Sequence, residues 1–287
     1  MNYKLSDYRG VVPTWCPGCG DFAVLGCLQK ATMQLGLPPE DVVIVSGIGC
    51  SGKIVQHYGG YGYHSLHGRT IPVATGIKLA NPKLTVIAAG GDGDGYGIGL
   101  NHFIHAMRRN IDITYLVMDN HIYSLTTGQT SPTSRMGFIS KTTPKGAAEL
   151  HIRPLEIALA AGSSFIAQGF SGDVNQLTNL IIAGIQHRGF SHINIFSPCV
   201  TFNKQNTFAW FKERIINLDD DQSYRPNDKV RALEKVIQAD GVLTGIIYQE
   251  ERLVYHQALP GPKEQPLTQT PVELERSQFE QLIKVFH

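Results

Sequence analysis

Apolar residues along this chain fall into short unbroken runs separated by stretches with helical spacing. Residues 85–89 (Thr-Val-Ile-Ala-Ala) form one such run and read as a buried strand. The glycine-rich run Gly90-Gly91-Asp92-Gly93-Asp94-Gly95 ends it. Residues 98–109 then place Ile98, Phe103, Ile104 and Met107 at the spacing of one helix face. Residues 111–118 form a second apolar run, rich in β-branched side chains, that stops at Asp119-Asn120. Strand, helix and strand make one βαβ unit with parallel strands. The alternation continues in both directions. Helix 22–35 precedes strand 42–46, and helix 71–79 precedes strand 85–89. Downstream come helix 154–161, strand 164–168, helix 173–188 and strand 192–196. Asp173 suits the N-cap of its helix and Gly189 its end. The pattern predicts an α/β fold, a mostly parallel sheet with helices on both faces. The alternation ends near Pro198-Cys199. After residue 200 aromatic and charged residues mix without a regular period, and Pro260, Pro262, Pro266 and Pro271 break the tail. We expect residues 1–200 to form one domain and residues 201–287 an extension packed on it or on a partner subunit.

A βαβ unit brings the carboxyl ends of its two strands to one rim of the sheet, where open α/β sheets bind ligands. Asp92 follows the first strand and Asn120 the second, so their side-chain oxygens meet there. Two hard oxygen donors beside a glycine loop with free N–H groups suit Mg²⁺ and a diphosphate together. Dinucleotide binding is not supported, because no register of residues 90–99 gives G-x-G-x-x-G. Residues 47–53 match G-x-x-x-x-G-K after a strand, but Ile54 stands where a nucleotide-binding loop needs Ser or Thr, and residues 57–63 read as a loop. Lys53 is better read as an anion-binding group for a substrate carboxylate or phosphate. His57, His64, His67 and Arg69 lie around a Gly/Tyr-rich loop and lack zinc-helix spacing. His67 is the one we expect to work in a site. Residues 123–134, rich in hydroxyls, read as a loop leaving from Asn120.

Composition narrows the class. The chain has 287 residues, 42% hydrophobic and 17% charged, with formal net charge +1. These values are globular and imply no nucleic-acid partner. No apolar run approaches the roughly 18 residues of a membrane span, and the first residues lack the apolar core of a signal peptide. A cytoplasmic protein is therefore expected. Five cysteines in this length do not make a disulfide scaffold. Cys16-Pro17-Gly18-Cys19 invites a thiol–disulfide reading. However, no strand precedes it, and its inner Pro-Gly reverses the usual Gly-Pro. The pair is alternatively half of a metal site completed by Cys50 and Cys199, both of which follow strands. Four thiolates suit Zn²⁺ or an iron–sulfur cluster. Cys27, inside an apolar helix, reads as core.

The G-D-G run followed by Asn resembles the thiamine diphosphate motif. Trp-Cys-Pro-Gly-Cys-Gly, Gly-Ile-Gly-Cys-Ser-Gly-Lys, His-Gly-Arg, Gly-Asp-Gly-Asp with Asn-His-Ile-Tyr, Leu-Thr-Thr-Gly-Gln and Ser-Pro-Cys-Val, in this order, resemble the β subunit of the 2-oxoacid:ferredoxin oxidoreductases. The resemblance is carried by residues 1–200. It implies a thiamine diphosphate-binding domain in which Asp92, Asn120 and the Ile122 carbonyl ligate Mg²⁺. Ile48, Gly49, Cys50, Ser51, His67, Gly93, Asp94, Ser124 and Leu125 would contact the cofactor. Cys16, Cys19, Cys50 and Cys199 would ligate one [4Fe–4S] cluster. Lys53, His67 and Thr127 would serve the substrate chemistry, although lysine is common in the family where Thr127 stands. The implied activity is coenzyme A-dependent oxidative decarboxylation of a 2-oxoacid with electrons passed to ferredoxin, or the reverse carboxylation. The Leu-Thr-Thr-Gly-Gln-Thr-Ser-Pro-Thr stretch looks like the 2-oxoglutarate enzymes, which form succinyl-CoA and CO₂; pyruvate or a broad 2-oxoacid range is the alternative. Thiamine enzymes also need a glutamate to activate the cofactor, and Glu40 and Glu149 stand in ordinary surface settings. The resemblance places that residue on the pyrimidine-binding domain of an α subunit, in a heterodimer or dimer of heterodimers. A zinc-bearing decarboxylase subunit, a thiol–disulfide protein using Cys16 and Cys19, and a non-enzymatic binding subunit are the rival readings.

Overall fold

A computed structural model describes residues 3–259, 265–269 and 273–284 of the chain, so Pro260, Pro262 and Pro271 lie outside the described residues. Helix α1 (Asp21–Gln34) leads into β1 (Val42–Ser46). A short helix α2 (Ile54–His57), strand β2 (Tyr61–His64) and helix α3 (Thr70–Ala80) follow, then β3 (Thr85–Gly91). A wide helical turn (Gly93–Ile98) kinks at Gly97 into α4 (Leu100–Arg109), which returns to β4 (Ile113–Asp119). Strands β5 (Ile122–Tyr123) and β6 (Gln129–Thr130) form a small hairpin beyond the rim. Then come α5 (Pro154–Ala160), β7 (Phe165–Phe170), α6 (Val174–Gln186) and β8 (Phe190–Phe196). The rest of the described chain adds α7 (Phe208–Arg214), β9 (Ile216–Asn217), α8 (Lys229–Gln238), β10 (Leu243–Gln249), α9 (Tyr255–Ala258) and α10 (Arg276–Lys284).

Eight strands make one sheet in the order β2-β1-β3-β4-β8-β7-β10-β9. The pairs from β2 to β7 are parallel, and β10 runs antiparallel to β7. The central strands are buried along their whole length, so they read as continuous apolar runs rather than alternating ones. Successive side chains still divide between two cores. Ile44, Ile87, Leu116 and Ile193 pack with α1 and α6 on one face, through residues such as Leu28 and Ile181. Val45, Ala88 and Val117 pack with α3, α4, α5 and α8 on the other, through Ile71, Phe103, Leu155 and Val236. The N-cap expected at Asp173 is present, its carboxylate accepting from Gln176 N at 3.0 Å. Among the described residues no helix is long and apolar enough to cross a membrane.

Three stretches differ from the sequence reading. Residues 61–64, read as loop, are the edge strand β2. Every side chain in it is exposed, so no apolar pattern marks it. The hydroxyl-rich stretch 123–134 contains the β5–β6 hairpin, and its far end turns inward, with Ser131, Thr133 and Ser134 buried. After residue 200, β9 and β10 extend the same sheet and α8 covers it. Helix α8 places Ala232, Leu233, Val236 and Ile237 at helical spacing, and Ala232 and Val236 are buried, so this stretch is more regular than the sequence reading has it. Strand β10 carries a register shift between Ile246 and Tyr248, which breaks its alternation.

Candidate active site

The strand order reverses at β1, with β2 on one side and β3 on the other. This is the switch point where parallel sheets open a crevice at their carboxyl ends. A cavity of about 240 Å³ lies there. Its walls are residues 48–51 after β1, residues 91–94 after β3, Asn120 after β4, the hairpin residues Ile122 to Thr126, and His67. Of the expected cofactor contacts, Ile48, Gly49, Cys50, Ser51, His67, Gly93, Asp94, Ser124 and Leu125 all line it, together with Asp92, Asn120 and Ile122.

Within the cavity the two aspartates of the glycine run do different work. Asp94 faces away from the opening. Its Oδ1 accepts from Ile48 N at 2.9 Å, Gly68 N at 2.8 Å and His67 Nδ1 at 2.9 Å, and its Oδ2 accepts from Thr70 Oγ1 at 3.1 Å. An ionised carboxylate only accepts, so His67 carries its proton on Nδ1 toward Asp94. The Asp94 side chain thus fixes two loops, and what it offers a diphosphate is its backbone. The first N–H groups of a helix have no partner within it, and Gly93 and Asp94 open the turn into α4. A Cβ at Gly47 would lie 2.0 Å from the Asp94 carboxylate, and one at Gly93 2.1 Å from Tyr123 Cε1. Both glycines are therefore demanded by close approach.

Asp92 is buried yet opens onto the cavity. Its Oδ2 accepts from Ser131 Oγ at 2.5 Å and Thr133 Oγ1 at 2.6 Å, and among the described residues no donor reaches Oδ1. Burial first, and the neighbouring Asp119 second, push its carboxyl up to about 7. A cation beside such a carboxylate would favour its ionised form. The Asn120 side chain is also positioned, Oδ1 accepting from Ile122 N at 3.1 Å and Nδ2 donating to Ser124 Oγ at 3.2 Å. An unshared carboxylate oxygen, an amide oxygen and a glycine cradle fit a magnesium diphosphate.

A second cavity of about 160 Å³ adjoins the first. Cys16, Cys19, Cys50 and Cys199 line it with Lys53, and it shares Cys50, Asn120, Ser124 and Leu125 with the first cavity. The chain is tied here from both ends. Gly20 N donates to Pro198 O at 3.3 Å, a Cβ on Gly20 would strike Ser197 and Ser171, and Ser197 Oγ donates to Asp21 at 2.6 Å. Trp15 Nε1 donates to the Cys50 carbonyl at 2.7 Å, and Ser124 Oγ donates to Cys50 Sγ at 3.3 Å. All four thiols are free. Among the described residues no three His, Cys, Asp or Glu side chains converge tightly enough for a single metal ion. Four thiols around one cavity are nonetheless a ligand set for a metal ion or an iron–sulfur cluster. Burial raises the thiol pKa of both Cys19 and Cys50. Cys27 lies apart in α1, its Sγ donating to Val174 O at 3.4 Å.

Two expected substrate residues fall differently. Lys53 lines the cysteine cavity rather than the cofactor cavity. Thr127 is exposed at the hairpin tip with φ +76° and lines neither, whereas its neighbour Thr126 lines the cofactor cavity. Glu40 is exposed in the turn before β1, at the opposite end of the strand, and Glu149 is exposed outside both cavities. Sequence reasoning missed Asp119, Ser131 and Thr133. The signals available were the Asp next to Asn120 and the run of hydroxyls after Thr130.

Fold and crevice define a thiamine diphosphate-binding domain. Residues 47–195 match the thiamine pyrophosphate enzyme family, C-terminal TPP binding domain, and residues 199–264 match the family of the C-terminal part of the pyruvate ferredoxin oxidoreductase beta subunit. A 2-oxoacid:ferredoxin oxidoreductase subunit beta from Saccharolobus solfataricus is 44% identical over 250 residues, covering 83% of this chain and 82% of the relative. The 2-oxoglutarate oxidoreductase subunit KorB of Mycobacterium tuberculosis is 44% identical over 199 residues, 69% of this chain and 53% of the relative. Among solved structures, 2-oxoglutarate:ferredoxin oxidoreductase from Magnetococcus marinus with 2-oxoglutarate, coenzyme A and succinyl-CoA bound superposes with a TM-score of 0.91 at 37% identity, covering 98% of this chain and 96% of that one. The chain belongs to the β subunits of the 2-oxoacid:ferredoxin oxidoreductases, and it is a subunit of an enzyme.

Proposed function

We propose that this chain is the β subunit of a 2-oxoglutarate:ferredoxin oxidoreductase that carries thiamine diphosphate, Mg²⁺ and one [4Fe–4S] cluster. The observation that supports it most is the pair of adjoining cavities. One is lined by Asp92, Asn120 and the glycine turn, the other by four cysteines, and Cys50 and Ser124 stand in the wall between them. The 2-oxoglutarate assignment rests on the KorB relative and on the solved oxidoreductase with 2-oxoglutarate bound.

Asp92 Oδ1, Asn120 and the Ile122 carbonyl would hold Mg²⁺, with the N–H groups of Gly93 and Asp94 turned to the diphosphate. When bound, the thiamine supplies the nucleophile for 2-oxoacid decarboxylation and the cluster on Cys16, Cys19, Cys50 and Cys199 a one-electron outlet toward ferredoxin. Asp94 holds His67 Nδ1–H, which leaves Nε2 as a proton acceptor or donor at the cavity wall. Lys53 places a positive charge beside the thiolates and near the shared wall. Leu125 and Thr126 line the cavity at the hairpin tip. Among the described residues no glutamate lines the cofactor cavity, so the group that activates the cofactor comes from the α subunit that a β subunit implies. The reaction runs as oxidative decarboxylation with coenzyme A taking the acyl group, or as its reverse.

The test is anaerobic co-purification with the α subunit, followed by iron and sulfide analysis and a substrate comparison. A brown complex with about four irons per β chain and ferredoxin reduction faster with 2-oxoglutarate than with pyruvate is expected. A colourless zinc protein, or a clear preference for pyruvate, would overturn the cluster or the substrate assignment respectively.

A further inference from the structure

The carboxylate at the metal position is held from behind by the loop that ends the β5–β6 hairpin. Ser131 and Thr133 flank Pro132, whose ring fixes φ between them. Both hydroxyls are buried, and both reach the same oxygen, Asp92 Oδ2, at 2.5 and 2.6 Å. Thr133 Oγ1 also lies 2.9 Å from Asp119 Oδ1, at the end of β4. Ser134 closes the turn, its Oγ accepting from Ser131 N at 2.8 Å and donating to His121 O at 2.5 Å. Buried hydroxyls are costly unless hydrogen-bonded, and the carboxylates accept from both Ser131 and Thr133 here. At its other end the same hairpin presents Leu125 and Thr126 to the cofactor cavity, and Tyr123 Oη donates to Gly93 O at 3.2 Å.

We propose that Ser131 and Thr133 are positioning residues: they hold the Asp92 carboxylate with Oδ1 toward the cation and anchor the hairpin that caps the cofactor, so that metal-diphosphate loading and seating of the hairpin tip are one event. This rests on the reading of Asp92 as a Mg²⁺ ligand. Asp92 connects the base of the hairpin to the cation, and Tyr123 connects its first strand to the diphosphate turn. A cation on Oδ1 therefore restrains the element that contacts the substrate side of the cavity.

The experiment uses the αβ complex stripped of thiamine diphosphate and Mg²⁺. Cofactor binding is followed by calorimetry while Mg²⁺ is titrated, and hydrogen exchange is followed over residues 122–130. In the wild-type complex, exchange over the hairpin slows as Mg²⁺ and thiamine diphosphate bind. Thr133→Val and Ser131→Ala are each expected to raise the half-saturating Mg²⁺ concentration about 10-fold or more, as loss of a partner to a metal ligand does, and to shift hairpin protection by the same factor. Thr133→Ser, which keeps the hydroxyl, restores both. Unchanged Mg²⁺ dependence in Thr133→Val and Ser131→Ala, with binding lost in Asp92→Asn, overturns the positioning role and leaves the metal site standing. Wild-type Mg²⁺ dependence in Asp92→Asn overturns the metal reading and the inference with it. If Thr133→Val does not assemble, Ser131→Ala, which removes one of the two donors, decides by the same criterion.

Discussion

The Asp94 carboxylate shows how a charged side chain in a motif acts by tying together the loops around it. Its four donors come from two segments, residue 48 and residues 67–70, and removing the carboxylate leaves two backbone N–H groups, an imidazole and a hydroxyl without their acceptor. Each buried donor left unpaired costs roughly 1–3 kcal/mol. Asp94→Ala is therefore expected to destabilise the chain by about 3 kcal/mol or more in urea unfolding, besides freeing His67. At Gly93 the penalty is steric. Gly93→Ala drives a methyl into the Tyr123 ring and is expected to weaken thiamine diphosphate binding, measured by fluorescence titration, with the cysteine cavity untouched. His192 supplies a pH prediction. It is buried, its Nε2 lies 2.7 Å from Tyr96 Oη, and burial lowers its pKa from 6.5 to about 3. The unfolded chain takes up a proton near pH 6.5 that the native state refuses. This contribution to stability is full above pH 6.5 and is lost as pH falls toward 3. Melting temperature should accordingly drop less for His192→Gln than for the wild type between about pH 7 and about pH 4.

At the scale of elements, the stretches legible in the sequence are those whose burial is periodic or complete. Residues 42–46 read as a strand and are β1, and the βαβ unit around the glycine run is β3, α4 and β4. The carboxyl-end rule then places Asp92 and Asn120 on one crevice from sequence alone. Elements without regular burial are illegible: β2 because it buries nothing, β10 because a bulge interrupts it; α8, by contrast, carries a helical apolar spacing that the surrounding mixed stretch obscures. Ser131 and Thr133 are hidden because hydroxyl-rich stretches are ordinarily solvated, and only the carboxylates behind the rim turn them inward. The convergence of four distant cysteines depends on Gly20 lying against Ser197 and on Trp15 reaching the Cys50 carbonyl, contacts that no local pattern encodes. A substitution series separates their roles. Cys199→Ser should lose most of the iron and sulfide of the anaerobic complex, whereas Cys27→Ser, in a core helix, should keep both, as elemental and sulfide analysis will show.

The whole molecule is a β subunit, which implies an α-subunit partner. The sheet, both cores and both cavities are built within one chain, yet among the described residues no glutamate reaches the cofactor cavity to activate what it holds. The isolated polypeptide is expected to bind iron and thiamine diphosphate but to show no decarboxylation of a 2-oxoacid, with CO₂ release appearing only when the α subunit is added. The spacing of the cysteines has a further consequence, in time rather than space. Three of the proposed cluster ligands leave the ribosome within the first 50 residues, while the fourth, Cys199, follows β8 and emerges only after the central strands have been synthesised. The proposed four-cysteine site is therefore complete only after β8 has been synthesised. A nascent chain stalled before residue 199 presents three of those thiols and lacks the fourth.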